Sequence, residues 1–325
     1  MAVQTTVLEP GAALTKNAFV AWKRGFRSVP AAGRLVFTVS SVQYKTSEHD
    51  NIDYSPIADE TAEGTNYSAS NPTKGDALNL TQGKVTSSFE ITQEMLKFDR
   101  YSMMRALRGM MKLGRACPER MELDLQLFLL SMGFGSSYTD KNGNSVATTT
   151  ADGVAVYNNS HTVNGTSTTY DNLGSTAFGQ TGLEGTQDLA RSFIDQQGNI
   201  VYVVFDSIFT TSKNQLVNLV WEYMNGVNHI EDANRGPNSQ RRYGYEHIIF
   251  HKGDFTAQSA RDSSKDDYWG MYSSENREHG ILEVSGNPRM VDAGVIQRNQ
   301  NVLMLTDCFY AYGVLGAQWI AANNA

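Results

Sequence analysis

Cysteine is nearly missing from this 325-residue chain: Cys117 and Cys308 occur alone, far apart in the sequence and in apolar company. A disulfide scaffold is excluded, and a reducing compartment fits best. Long hydrophobic runs are absent too; no stretch approaches the roughly 18 apolar residues that span a membrane. The first residues, Met1 to Pro10, hold neither a basic nor an apolar run, so no secretory signal is visible. Positive charge is in deficit, with 27 Lys+Arg against 34 Asp+Glu and a net charge of −7. That balance argues against generic nucleic-acid coating while permitting a local basic stripe. The signatures of common chemistries are missing as well: no phosphate loop, dinucleotide fingerprint or Gly-x-Ser-x-Gly elbow occurs. His247 and His251 stand four apart as on a zinc helix, but Ile248 replaces the expected glutamate, the segment favours a strand, and no third ligand is marked. Asp140-Lys141-Asn142-Gly143-Asn144 departs from a calcium loop, with its glycine two positions early and Ala151 in place of the bidentate acid; a hairpin turn is the better reading. No catalytic residues, metal or cofactor are expected, and the chain does not read as an enzyme.

What is present begins with 40% hydrophobic and 19% charged residues, enough for an ample core in one or two domains. The organising stretch runs from Ile91 to Gly135. Thr92 is a suitable N-cap, and Ile91 and Leu96 suit a hydrophobic staple. Wound at about 100° per residue, Leu96, Phe98, Met103, Ala106, Leu107, Met110 and Leu113 share one side. Lys97, Arg105, Arg108, Lys112 and Arg115 share the other. This predicts an amphipathic helix with a basic face, either one long helix or two with a break at Pro118. Met121 to Met132 continues it; helix is favoured there over strand.

Ahead of that helix, Leu14 to Phe26 carries Phe19, Trp22 and Phe26. It reads as a short helix on its own domain or as an arm docking on a neighbouring subunit. Arg34 to Tyr44 reads as a strand, and Leu78 to Leu80 with Lys84 to Ile91 as the returning strand. Between them, Thr46 to Asp76 is polar and acidic, with Asp50, Asp53, Asp59, Glu60 and Glu63, and cannot bury a core of its own. It is either a disordered insertion or an extended hairpin lying on a neighbouring subunit. Beyond Gly135, Leu183 to Gln197 and Thr211 to Met224 read as helices. Ile200 to Phe205, Tyr245 to Phe250, Trp269 to Tyr272, Ile281 to Val284, Val302 to Leu305 and Phe309 to Leu315 read as strands, a mixed α/β order.

That order of parts, with Phe89-Glu90-Ile91-Thr92-Gln93-Glu94-Met95 entering a long helix, Tyr157-Asn158-Asn159-Ser160-His161 after it and then Asp267-Tyr268-Trp269, resembles the major capsid (head) protein of tailed bacteriophages. Thr162 stands where a proline often follows the histidine in that family. The resemblance implies an α+β fold. Residues 1–33 would be the N-terminal arm, 34–91 an extended β-hairpin loop and 92–153 a peripheral domain with the spine helix. Residues 154–301 would form a mixed α/β axial domain, and 302–325 strands returning to the peripheral domain. It implies pentamers and hexamers in an icosahedral shell around double-stranded DNA, assembled in a bacterial cytoplasm, with no membrane. A separate scaffolding protein, a portal and cementing proteins are the implied partners. The acidic loop residues and Phe19, Trp22 and Phe26 would meet other subunits, and the basic helix face a subunit or DNA. A cargo-enclosing nanocompartment and a phage tail or surface-binding protein are the alternatives.

Overall fold

The computed structural model describes residues 10–50, 60–61, 63, 74–92, 94, 98, 101–163, 167–195, 198–227, 238–257, 260–286, 289–295 and 301–325. Helix α1 (Pro10–Arg27) starts on a proline, whose fixed φ and missing N–H suit a first helical position. Next come α2 (Gly33–Val36), β1 (Thr38–Ser41), β2 (Thr46–Asp50), β3 (Ala77–Thr81) and β4 (Gly83–Ile91). Helix α3 (Ser102–Gln126) has 25 residues, about 37 Å at ~1.5 Å per residue. It passes into a buried π-helical turn, Leu127–Ser131. Then follow β5 (Ser137–Thr139), β6 (Ser145–Ala147), β7 (His161–Thr162), β8 (Thr169–Tyr170), β9 (Leu173–Gly174), α4 (Gln180–Leu189), β10 (Ser207–Thr211) and α5 (Asn214–Asn225). The chain ends with β11 (Glu246–Phe250), β12 (Trp269–Tyr272), β13 (Gly280–Val284), β14 (Arg289–Val295), β15 (Val302–Val314) and β16 (Ile320–Asn323). Among the described residues no helix is long and apolar enough to cross a membrane.

Two five-stranded sheets carry the structure. In the first, β15 is the spine. β4 runs antiparallel along one edge from Val302↔Ile91 to Tyr310↔Gly83, β14 and then β13 line the other, and β1 lies parallel outside β13. The second sheet has the order β11-β10-β12-β16-β9. The C-terminal stretch thus ties them together, with β15 in one sheet and β16 in the other. β13 and β14 share the sheet of β15.

Helix α3 is continuous through Pro118. An interior proline removes a helical hydrogen bond and costs about 3 kcal/mol. The helix persists because Leu113, Cys117, Met121 and Leu125, each four residues on, are all buried in core. The helix start expected at Thr92 borders undescribed positions; Glu94 and Phe98 are helical, and α3 is described from Ser102. The strand-like alternation of Met121 to Gln126 has another explanation: its polar members are buried with partners. Glu122 accepts from the N–H groups of Ala32 (3.1 Å) and Gly33 (2.8 Å), from Arg34 Nε (2.6 Å) and from Gln126 Nε2 (3.2 Å). Asp124 accepts from Tyr310 Oη at 2.5 Å and Arg120 Nε at 3.0 Å. Cys117 and Cys308 meet in this same core, both free.

The carboxylate of Glu122 also explains one correction. Arg34 to Tyr44 is not a single strand, because Glu122 caps the N-terminus of α2 and the strand begins only at Thr38. A second correction concerns Ile200 to Phe205, which is extended but outside any sheet apart from one bridge, Ile194↔Ile200. Ile200 and Tyr202 are 71% and 89% exposed. The strand is Ser207–Thr211, whose hydroxyls find partners inside: Thr210 pairs with His247 at 2.9 Å and Thr211 donates to the Asp266 carbonyl. Burial holds the His247 imidazole down to about 4. The two strands expected at Val302–Leu305 and Phe309–Leu315 are one, since Asp307 in the middle is neutralised by Arg289 at 2.8 Å.

Close packing of α1 on α3 depends on two glycines. A Cβ on Gly114 would stand 2.0 Å from the Trp22 carbonyl oxygen, and one on Gly25 2.0 Å from that of Met111. Gly114→Ala must push α1 away; overpacking of this kind costs about 2 kcal/mol, a fall in Tm of roughly 5 °C. Scanning calorimetry checks this, and an unchanged Tm contradicts it.

Candidate functional site

Two features stand out: a two-stranded hairpin stem lying against the first sheet and a cationic face on α1 and α3. β2 and β3 form the hairpin stem, with Thr46 opposite Thr81 and Asp50 opposite Ala77. Ser47 and His49, two apart on one strand, point the same way. Both reach Glu283 of β13, Ser47 Oγ donating at 2.6 Å and His49 Nε2 lying 2.7 Å from the other carboxylate oxygen. Glu283 is 1% exposed, so the stem is pinned over a buried charge. On the stem's other strand Leu80 packs with Ile281 and Ala311. Farther out, Lys74 Nζ bridges Glu48 and Asp50 at 2.9 Å each, and the hydrogen bond to Asp50, then that to Glu48, raises the lysine pKa. Of the expected loop acids, Asp50 is therefore engaged within the chain. Glu60 and Glu63 are exposed, and Asp53 and Asp59 lie outside the described residues.

On α3, Arg105, Arg108 and Lys112 are exposed along one stripe. Arg115 is half-buried and paired with Glu119 at 2.7 Å; Lys97 lies outside the described residues. Beside the stripe runs a groove of about 340 Å³ between the two helices, lined by Asn17, Val20, Ala21, Arg24, Met104, Leu107, Arg108 and Met111. The three arm aromatics are placed differently. Trp22 is buried against its own chain and donates to Thr306 Oγ1 at 3.2 Å, Phe26 is half-buried, and Phe19 is exposed. The arm packs first on its own domain, which leaves Phe19 as the aromatic open to a neighbour.

The Tyr157-to-His161 segment is a structural stitch. Tyr157 Oη donates to the Leu129 carbonyl in the π-turn. His161 stacks on Tyr170 at 5.1 Å and faces Asp152 through Nδ1 at 2.8 Å and the Val156 carbonyl through Nε2 at 3.2 Å. Burial raises the Asp152 carboxyl pKa, but hydrogen bonds from His161 and Thr150 more than offset this and hold it below the usual carboxylate range. A depressed folded-state value means that the Asp152 contribution is complete above about pH 4 and disappears as pH falls through the lower folded value. Asp152→Asn should cost about 3 kcal/mol at pH 7 and flatten the acid limb of a Tm-against-pH profile. An unchanged profile contradicts this pairing.

Sequence reasoning missed Glu283, Glu122 and Asp152, whose partners lie on other elements. Glycine inside the helical pattern at Gly114 was a usable signal of close approach.

No protein-family model matches the chain, and no curated protein matches it in sequence. Solved structures do match in shape. The capsid of the cyanophage P-SCSP1u superposes with a TM-score of 0.53 at 11% identity, over 89% of this chain and 86% of that one. The chain has a capsid-subunit fold. The capsid of an empty GTA particle gives a TM-score of 0.50 at 13% identity over 94% and 98% of the two chains. A virus-like particle from Pyrococcus furiosus gives 0.50 at 7% over 95% and 98%. The expected α+β capsid fold is thereby borne out.

Proposed function

We propose that this chain is a structural subunit that self-assembles into the icosahedral head of a tailed bacteriophage, around double-stranded DNA. The observation that carries this reading is the likeness to phage capsid subunits along about nine-tenths of the chain. The hairpin stem is a second support, since a two-stranded stem has no independent stability and the acidic sequence joining its strands holds few large apolar residues with which to bury itself. In this reading residues 34–91 reach a neighbouring subunit through Asp53, Asp59, Glu60 and Glu63, with Asp50 held by Lys74 in the stem. Residues 92–153 hold the spine helix, residues 154–301 the axial domain and 302–325 strands returning to the peripheral domain, and Phe19 of the arm touches a neighbour. The role is structural, not catalytic. Scaffold, portal and cementing proteins would be its partners, and a bacterial cytoplasm its place of assembly.

The test is sedimentation of the native particles with nucleic-acid content measured across the gradient. Fast-sedimenting particles with double-stranded DNA support a phage head. Particles free of nucleic acid favour a cargo-enclosing nanocompartment, and trimers or fibres a tail or surface-binding protein.

A further inference from the structure

We propose that the cationic face shared by α1 and α3 is a docking groove for an acidic, amphipathic helix supplied by a second protein. The first ground is charge. From Pro10 to Pro118 of the two helices, α1 and the first two-thirds of α3 carry Lys16, Lys23, Arg24, Arg27, Arg105, Arg108, Lys112 and Arg115 and no acidic residue, in a chain of net charge −7. Lys23, Arg24, Arg27, Arg108 and Lys112 make no ion pair with any described residue. A cluster of like charges raises the local potential and attracts an anionic partner.

The second ground is the apolar floor. Val20, Met104 and Met111 line the groove of about 340 Å³, with Arg24 and Arg108 on its rims. Val20 is 62% and Met104 52% exposed, apolar surface left in water. A second hollow of about 490 Å³ adjoins it across Val20, lined by Phe19, Lys23 and Arg27 among others. Methionine at such a surface adapts to varied apolar anchors.

The third ground is spacing. The lining residues recur three and four apart on both helices, Asn17, Val20 and Arg24 on α1 and Met104, Leu107 and Met111 on α3, a ridge pattern that seats the ridges of a third helix. Duplex DNA matches the rims but leaves the floor in water. The chain's own loop, Thr46 to Asp76, contains Pro56 and Pro72 and does not read as a helix. An amphipathic helix with acids flanking its apolar stripe matches rims and floor together. The inference is independent of the shell reading, because peptide capture is read on the protein in whatever assembly state it holds.

The test uses the full chain and a fluorescent synthetic peptide of about 18 residues, leucines at i, i+3, i+4, i+7 and glutamates opposite. Controls are the same composition scrambled, a peptide spanning Thr46 to Glu63, and a short DNA duplex. Anisotropy at physiological salt should show the amphipathic peptide binding about tenfold tighter than every control. Arg24→Glu with Arg108→Glu should remove that binding, Met104→Gln should weaken it several-fold, and the melting curve of each variant should stay unchanged. The proposal is overturned if the amphipathic peptide does not bind, if the double reversal leaves its binding intact, or if the scrambled peptide or duplex binds as well. Tighter binding of the loop peptide also overturns it, making the face a contact between copies.

Discussion

A chain in which a short Asn-Gly turn replaces residues 51–73 folds normally and builds no shells. The stem survives this change because Ser47 and His49 still reach Glu283, Leu80 still packs with Ile281 and Ala311, and Lys74 still joins Glu48 and Asp50. Shortening the loop lowers its closure entropy by about 1–2 kcal/mol, so thermal stability holds or rises slightly. Sedimentation should lose the whole particle peak and keep a folded, slowly sedimenting species. Particles of normal size and yield would show that the hairpin tip is not an assembly element.

Glu283→Ala is the second large effect, and it acts from inside. The carboxylate is 1% exposed in the middle of β13, and its removal leaves the Ser47 hydroxyl and the His49 ring facing an apolar gap. Breaking a buried pair of this kind costs about 3–5 kcal/mol. The stem can avoid part of that cost by lifting off the sheet, since among the described residues β2 pairs only with β3. Amide exchange in Thr46–Asp50 and Ala77–Thr81 should therefore rise by orders of magnitude, with Tm lower by roughly 5–10 °C and assembly lost. Glu283→Gln, which keeps an acceptor for Ser47, should fall between. Unchanged exchange in the stem would mean that Glu283 does not hold it.

The features legible in the sequence are those set by near neighbours. The Asn-Gly turn between β5 and β6 is one, with Gly143 at φ 85° and Asp140 accepting from the backbone N–H groups of Asn142 and Asn144. The spacing of Leu216, Val220 and Tyr223 on α5 is another, as are Trp269 to Tyr272 and the basic stripe of α3. The misreadings share a cause in distant partners. Ile200 to Phe205 has higher strand propensity than Ser207 to Thr211, but His247 and the Asp266 carbonyl satisfy the hydroxyls of β10 and let it be central. Arg289, 18 residues from Asp307, lets one strand pass through a charge. Glu122 turns the start of an expected strand into a helix 89 residues earlier. At the candidate surfaces the basic stripe was readable, whereas the groove beside it exists only because Gly25 and Gly114 bring α1 onto α3.

The central claim, that this chain is a shell subunit, meets its most direct test in one electron micrograph of the purified full-length protein. Closed icosahedral shells together with five- and six-fold rings are the expected result. A uniform field of monomers, trimers or fibres, with no rings and no shells, would contradict it.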